Sequence, residues 1–114
     1  MPKPPRSLTQ NEFLLLLCLV EGERHGYALK KAVAERTGGR VDLGPATLYR
    51  SLHRLLEVGL IGESARRPAP ELDDERRRYY TLTDKGRREA SGEARRLAQL
   101  VEAARDARLI DERA

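Results

Sequence analysis

Apolar and polar residues follow one another along this chain in patterns that predict three helices, a β-hairpin and a long final helix. The first helix is expected over 10–21, because Thr9 and Glu12 form a capping box immediately before eight consecutive apolar residues. Apolar side chains surround this helix, so it should be buried on all sides, one of which would face a second subunit. A second amphipathic helix is expected over 26–37, where a pair of glycines ends it.

The third predicted helix, over 45–58, has the clearest division between two faces. It begins at Pro45, whose missing N–H is tolerated at the first helical position. At about 100° per residue, its leucines gather on one side, Arg50 projects from the opposite side, and Arg54 flanks Arg50 on the outward face. The polar face of such a helix is either an ordinary solvated surface or a surface that recognises a ligand.

Two strands, over 60–65 and 76–82, are predicted to pair as a hairpin with Tyr80 and Leu82 on one face. The tip of the hairpin is acidic and its arms are basic. The acidic residues are Glu71, Asp73, Asp74 and Glu75. The basic residues are Arg66, Arg67, Arg76, Arg77 and Arg78.

The last predicted helix begins at Thr83 and Asp84, which suit its cap and its N-terminal dipole, and runs to about residue 108. About 25 residues at 1.5 Å each give roughly 37 Å, which is longer than the small domain beside it. Much of its apolar stripe therefore needs a partner, and the same helix of a second chain is expected to supply it. The predicted dimer interface combines this stripe with the first helix: Leu14, Leu15, Leu17, Cys18, Ala90, Ala94, Leu97, Leu100, Val101 and Ala104.

Composition narrows the class of protein. A length of 114 residues suits one domain with one core. Cys18 is the only cysteine, and a lone thiol suits a reducing compartment. The longest apolar run has eight residues, whereas a membrane-spanning helix needs about 20, and the first residues lack an apolar signal segment. We therefore expect a cytoplasmic protein that does not contact a membrane.

The arginine-rich composition indicates either a nucleic-acid partner or only the base content of the genome, and nothing in the sequence indicates catalysis. The net charge is only +4, but 18 of the 22 basic residues are arginines, whose guanidinium groups suit bidentate contacts with phosphate and guanine. One cysteine and two histidines offer no recognisable metal site or nucleophile–base pair. No phosphate-binding glycine loop or hydrolase motif occurs. We expect no catalytic residue, no metal and no cofactor.

Four motifs, taken in order, carry a resemblance to a known family. They are His25-Gly26-Tyr27-Ala28-Leu29, Ala46-Thr47-Leu48-Tyr49-Arg50-Ser51-Leu52-His53-Arg54-Leu55-Leu56, Gly59-Leu60-Ile61, and Arg78-Tyr79-Tyr80-Thr81-Leu82-Thr83-Asp84-Lys85-Gly86. Their order and spacing over about residues 8–108 resemble the PadR family of bacterial transcription regulators. The single helix after the wing resembles the short PadR subfamily.

This resemblance implies a mainly α fold with a small β-hairpin. A winged helix-turn-helix would occupy 8–82 and a C-terminal dimerisation helix 83–110, with tails at 1–7 and 111–114. It also implies a homodimer, held mainly by the terminal helix with help from the first. The dimer would repress genes by binding a palindromic operator in double-stranded DNA and release it when a small ligand binds. Family members commonly control detoxification, phenolic stress or multidrug efflux.

The resemblance also assigns positions to the DNA contact. The recognition-helix positions are Thr47, Tyr49, Arg50, Ser51, His53 and Arg54. Arg77 and Arg78 belong to the wing. The hairpin pattern adds Arg66, Arg67, Arg76 and Tyr79 as candidate contacts to phosphate.

Two features depart from the family pattern. The acidic tip of the wing should be repelled by phosphate, so contact is expected from the arms. The chain has no tryptophan and no aromatic residue after Tyr80, which argues against a site that stacks planar ligands. A small apolar or amphipathic effector between the first and last helices is expected instead.

Two other functions stay open at this point. A winged-helix module could use its arginine faces to bind an acidic protein, and salt-dependent binding to duplex DNA would distinguish the two. Another winged-helix regulator, such as a MarR-like one, usually has longer helical flanks than the single helix that follows the wing here.

Overall fold

The computed structural model describes residues 8–64 and 78–111, in which four helices pack with a three-stranded sheet. The elements are α1 Gln10–Leu19, β1 Arg24–His25, α2 Gly26–Arg36, α3 Pro45–Glu57, β2 Ile61–Glu63, β3 Tyr79–Leu82 and α4 Asp84–Asp106. Each predicted helix is present and ends one or two residues earlier than the sequence pattern indicates.

The helices begin where the sequence supplies caps. The N–H of Glu12 donates to Oγ1 of Thr9 at 3.1 Å, and the N–H of Thr9 donates to Oε1 of Glu12 at 2.9 Å, which confirms the capping box. Pro45 is the first residue of α3. At the start of α4, Oγ1 of Thr83 accepts a hydrogen bond from the N–H of Gly86 at 3.0 Å.

The sheet has one strand more than the predicted hairpin. β3 lies between β1 and β2 and pairs antiparallel with both, so that His25 faces Tyr79 and Gly62 faces Thr81. β1 has two residues, which is too short for an alternating pattern to reveal. Residue 65 and residues 76–77 of the predicted strands, together with the hairpin tip, lie outside the described residues.

The core is built around α1, which packs against α2, α3, α4 and β3. Leu15 and Cys18 are completely buried within the single chain, and Ala90 is only 8% exposed. Other elements of the same chain cover these three residues and leave them little surface for a second subunit, so their place in a dimer interface stays a prediction that the single chain does not test. Leu14 is also largely buried, whereas Leu17 is half-buried.

The first turns of helix α4 pack against this core, and much of the rest of the helix is exposed. Gly86 and Ala90 are buried, but Leu100 and Val101 are 54% and 41% exposed. Its 23 residues span about 35 Å at 1.5 Å each. The arrangement of α2, α3 and sheet, followed by this long helix, confirms the predicted winged helix-turn-helix fold with a C-terminal helix.

Within the described ranges, none of the helices is both long enough and apolar enough to span a membrane.

Candidate nucleic-acid interface

Helix α3 separates an apolar face from a polar one, as predicted. Three of its leucines are at most 2% exposed: Leu48, Leu52 and Leu55. Arg50 and His53 are exposed, and Thr47 and Ser51 are half-buried. Among residues 8–64 and 78–111, no side chain forms an ion pair or hydrogen bond with the guanidinium of Arg50. Arg50 is therefore available to a ligand.

Arg54 is not oriented as predicted. Its Nη1 donates to Oε2 of Glu12 at 3.0 Å, and the Glu12 side chain is only 3% exposed. The expectation that Arg54 points outward beside Arg50 is wrong, because its long side chain reaches a buried carboxylate in the first turn of α1. A helical projection gives the direction of the Cα–Cβ bond but not where so long a side chain ends. The sequence signal that could have revealed this pair is an acidic residue at the edge of an apolar run.

Tyr49 lies between α3 and α2. A β-carbon built on Gly26 would be 2.9 Å from the phenolic oxygen of Tyr49 and 3.0 Å from its Cε1. The ring of Tyr49 is half-buried and packs against the core. This contact gives Tyr49 a packing role at the junction of the two helices.

The candidate residues in the described part of the wing contact other side chains of the same chain. Nη1 of Arg78 lies 3.3 Å from Oε1 of Glu63. The ring of Tyr79 meets that of His25 edge-on, with centroids 5.6 Å apart. Tyr80 is 1% exposed, which confirms its expected place in the core. The remaining candidates lie outside the described residues: Arg66, Arg67, Arg76 and Arg77.

Helix α2 adds polar groups that the sequence analysis did not assign to the site. Nδ1 of His25 accepts a hydrogen bond from the N–H of Ala28 at 3.0 Å and so caps α2. Tyr27 is 54% exposed, and Nζ of Lys31 lies 5.9 Å from the centroid of its ring, within range of a cation–π interaction. An exposed tyrosine four residues before a lysine on a helix is the pattern that could have identified this pair.

A groove of about 450 Å³ lies between α1 and α4. Its lining residues are Leu8, Gln10, Phe13, Leu14, Glu93, Arg96 and Leu97. The groove lies between the first and last helices, where the sequence predicts an effector, and Leu8 and Phe13 are among its lining residues. Their place in it depends on how α4 packs against α1, which no local pattern shows.

The polar end of the groove is an ion pair on α4. Nε and Nη2 of Arg96 donate to the two carboxylate oxygens of Glu93 at 2.9 and 2.6 Å. This hydrogen bonding lowers the pKa of the Glu93 carboxyl. The groove thus combines apolar walls with one charged pair.

No three His, Cys, Asp or Glu side chains in the described ranges come together in a way that could hold a metal ion. Burial raises the pKa of the Cys18 thiol, although a hydrogen bond with Arg36 acts in the opposite direction. At pH 7 the thiol is therefore protonated and packs as a small apolar side chain.

Comparison with known proteins identifies the family that this sequence matches. The sequence model of the transcriptional regulator PadR-like family matches residues 15–92. A relative in Streptomyces fradiae, described as an uncharacterized 37.1 kDa protein in transposon TN4556, is 38% identical over 93 residues, or 81% of this chain. The chain spans 24% of the length of that relative.

Solved structures of PadR proteins are similar as well. A PadR family transcription regulator from hypervirulent Clostridium difficile R20291 is 22% identical with a TM-score of 0.72, over 86% of this chain and 97% of that chain. Bacillus subtilis PadR in complex with operator DNA is 27% identical with a TM-score of 0.59, over 71% of this chain and 44% of that chain. Since the family match covers more than half of the residues, the chain belongs to the PadR-like family of transcriptional regulators.

Proposed function

We propose that this chain binds double-stranded DNA as a PadR-like repressor and that α3 is its recognition helix. The observation that carries the proposal is the exposed guanidinium of Arg50, opposite the buried leucines of α3. An arginine can donate two parallel hydrogen bonds to N7 and O6 of guanine in the major groove, and such a contact contributes about 1–3 kcal/mol of discrimination. Thr47, Ser51 and His53 would lie along the same groove.

The phosphate contacts would come from elements outside α3. Tyr27 and Lys31 on α2 supply an exposed hydroxyl and an ammonium group. The arginines that the sequence assigns to the wing would supply further contacts. Contacts of this kind fix the register of the protein on the duplex, whereas Arg50 would read the sequence.

We further propose a homodimer in which the α4 helices of two copies pair, so that 8–82 binds DNA and 83–110 dimerises. The support is the exposed apolar surface of α4, including Leu100 and Val101, which a soluble monomer rarely leaves uncovered. A two-fold dimer places its recognition helices about 34–36 Å apart. The operator should therefore be palindromic.

The groove between α1 and α4 is the proposed site of a small apolar or amphipathic effector. Its apolar walls and the Glu93–Arg96 pair suit such a molecule. An effector that prefers one arrangement of the two helices would change DNA affinity by the same factor by which DNA changes effector affinity. An inducer that bound free and DNA-bound protein equally would contradict this coupling.

The experiment that tests the DNA-binding proposal is selection from random duplexes, followed by fluorescence anisotropy over a salt series. We expect the selected sites to be palindromic and the logarithm of the association constant to fall linearly with that of the salt concentration. Absence of duplex binding at low salt, combined with binding to an acidic protein, would instead favour the protein–protein module.

A further inference from the structure

A buried carboxylate connects the first turn of α1 to the recognition helix. Oε2 of Glu12 accepts a hydrogen bond from Nη1 of Arg54 at 3.0 Å, and its Oε1 accepts one from the N–H of Thr9 at 2.9 Å. The side chain of Glu12 is 3% exposed and that of Arg54 is 30% exposed. One carboxylate thus serves both the cap of α1 and an arginine of α3.

We propose that Glu12 is a positioning residue for DNA recognition, which acts through Arg54 by holding α3 in the orientation that the operator requires. The inference rests on the proposed role of α3 as the recognition helix. It assigns the half-buried guanidinium of Arg54 to the ion pair with Glu12 and leaves Arg50, four residues earlier, as the arginine that touches DNA.

The balance of charge explains why Arg54 stays with Glu12. If Arg54 left to contact a phosphate, the carboxylate of Glu12 would keep its burial and lose this counter-charge. Removing one partner of a buried ion pair is unfavourable, because the buried charge that stays behind loses part of its compensation. Arg50 faces no such cost, since it is already exposed.

The variant Glu12→Gln distinguishes a role of Glu12 in positioning α3 from a simple effect of its negative charge on DNA binding. Glutamine suits the capping box as well as glutamate does, but the substitution removes one negative charge. Electrostatics alone therefore predicts equal or tighter binding to DNA. Positioning predicts the opposite: affinity for the selected duplex should fall about fivefold to tenfold, while affinity for random-sequence duplex is kept or rises.

Arg54→Gln should cause the same loss on the selected duplex. Its salt dependence on random-sequence duplex should equal that of the wild type, whereas loss of a phosphate contact would reduce the slope by about 0.9. The double variant Glu12→Gln with Arg54→Gln should lose no more than either single variant, because the two residues act as a unit. Thr9→Ala is the matched control: it weakens the same cap but keeps the ion pair, so specificity should be unchanged.

Two results would overturn the proposal. One is a Glu12→Gln protein that binds the selected duplex at least as tightly as the wild type does. The other is an Arg54→Gln protein whose salt slope falls by about 0.9, since Arg54 would then contact DNA directly. If Glu12→Gln does not fold, Glu12→Gln with Arg54→Met removes both charges and should show the same loss of specificity.

A measurement on the free protein tests the positioning role of Glu12 independently of whether the protein binds DNA. If the wild type bound no duplex, the proposed function would fail. Hydrogen exchange of the free protein would still decide whether Glu12 holds α3. Amides of residues 46–57 should exchange faster in Glu12→Gln than in Thr9→Ala, and equal protection in the two variants would contradict the positioning role.

Discussion

Gly86 at the start of α4 lies directly against the backbone carbonyl of Leu60. A β-carbon on Gly86 would overlap that carbonyl oxygen and would lie 2.8 Å from Cδ1 of Leu82. The same carbonyl oxygen accepts a hydrogen bond from the N–H of Thr83 at 3.2 Å. The close approach of backbone to backbone therefore anchors α4 at the edge of the sheet.

Gly86→Ala should destabilise the protein by about 1–3 kcal/mol or more, because backbone rather than a flexible side chain must move. Gly92→Ala is the matched control on the same helix. The atom nearest to a β-carbon there is Nη2 of Arg95 at 4.0 Å, so this substitution should stabilise by about 0.5–1 kcal/mol. Urea denaturation measures the free energy of unfolding of each variant. Equal stability of the two variants would contradict the account of Gly86.

Charges on the apolar side of α4 should dissociate the proposed dimer. Leu97→Asp with Val101→Asp would bury two carboxylates without partners if the helices pair there, which is strongly unfavourable. Sedimentation velocity should show monomers for this variant and dimers for the wild type. Ser91→Asp with Gln99→Asp adds the same charge at exposed positions of the same helix and should stay dimeric. If Leu97→Asp with Val101→Asp sedimented as the wild type does, the dimer interface would lie elsewhere.

Cys18 should be unreactive in the folded protein. Burial raises the pKa of its thiol, so little thiolate is present at pH 8 and the sulfur is inaccessible. Iodoacetamide should label the protein in concentrated urea but not in buffer, as mass spectrometry would show. Rapid labelling of native protein would mean that α1 is not enclosed as described.

The raised pKa of Cys18 also has a consequence for stability. A group with a higher pKa in the folded state stabilises fully below its unfolded pKa, about 8.5 for a thiol. That contribution is lost as the pH rises through the folded value. The free energy of unfolding should therefore fall above about pH 8.5, and the fall should be smaller in Cys18→Ala.

The parts of the fold that the sequence predicts depend on local signals. The capping box at Thr9 and Glu12, the proline that begins α3 and the leucine spacing within it each act over one or two turns of helix. The direction of Arg50 follows from the same periodicity. These features need no knowledge of what packs against each helix.

The parts that the sequence did not predict depend on contacts between distant segments. Arg54 meets Glu12 across 42 positions of the chain, and only the packing of α3 on α1 brings them together. The apolar run around Leu15 and Cys18 shows that α1 must be covered, but not whether the cover comes from the same chain or from a second one. β1 forms because β3 offers it an edge to pair with, which two residues of sequence cannot reveal.

The central claim is that Arg50 reads the operator, and its most direct test compares Arg50→Gln with Arg95→Gln. Both substitutions remove one exposed arginine, the first from α3 and the second from α4. We measure the ratio of affinities for the selected duplex and a duplex with one guanine replaced in each half-site. Arg50→Gln should lose about 1–3 kcal/mol of that discrimination, and Arg95→Gln should keep it. If Arg50→Gln discriminated between the two duplexes as well as the wild type does, Arg50 would not be the reading residue and the account would be wrong.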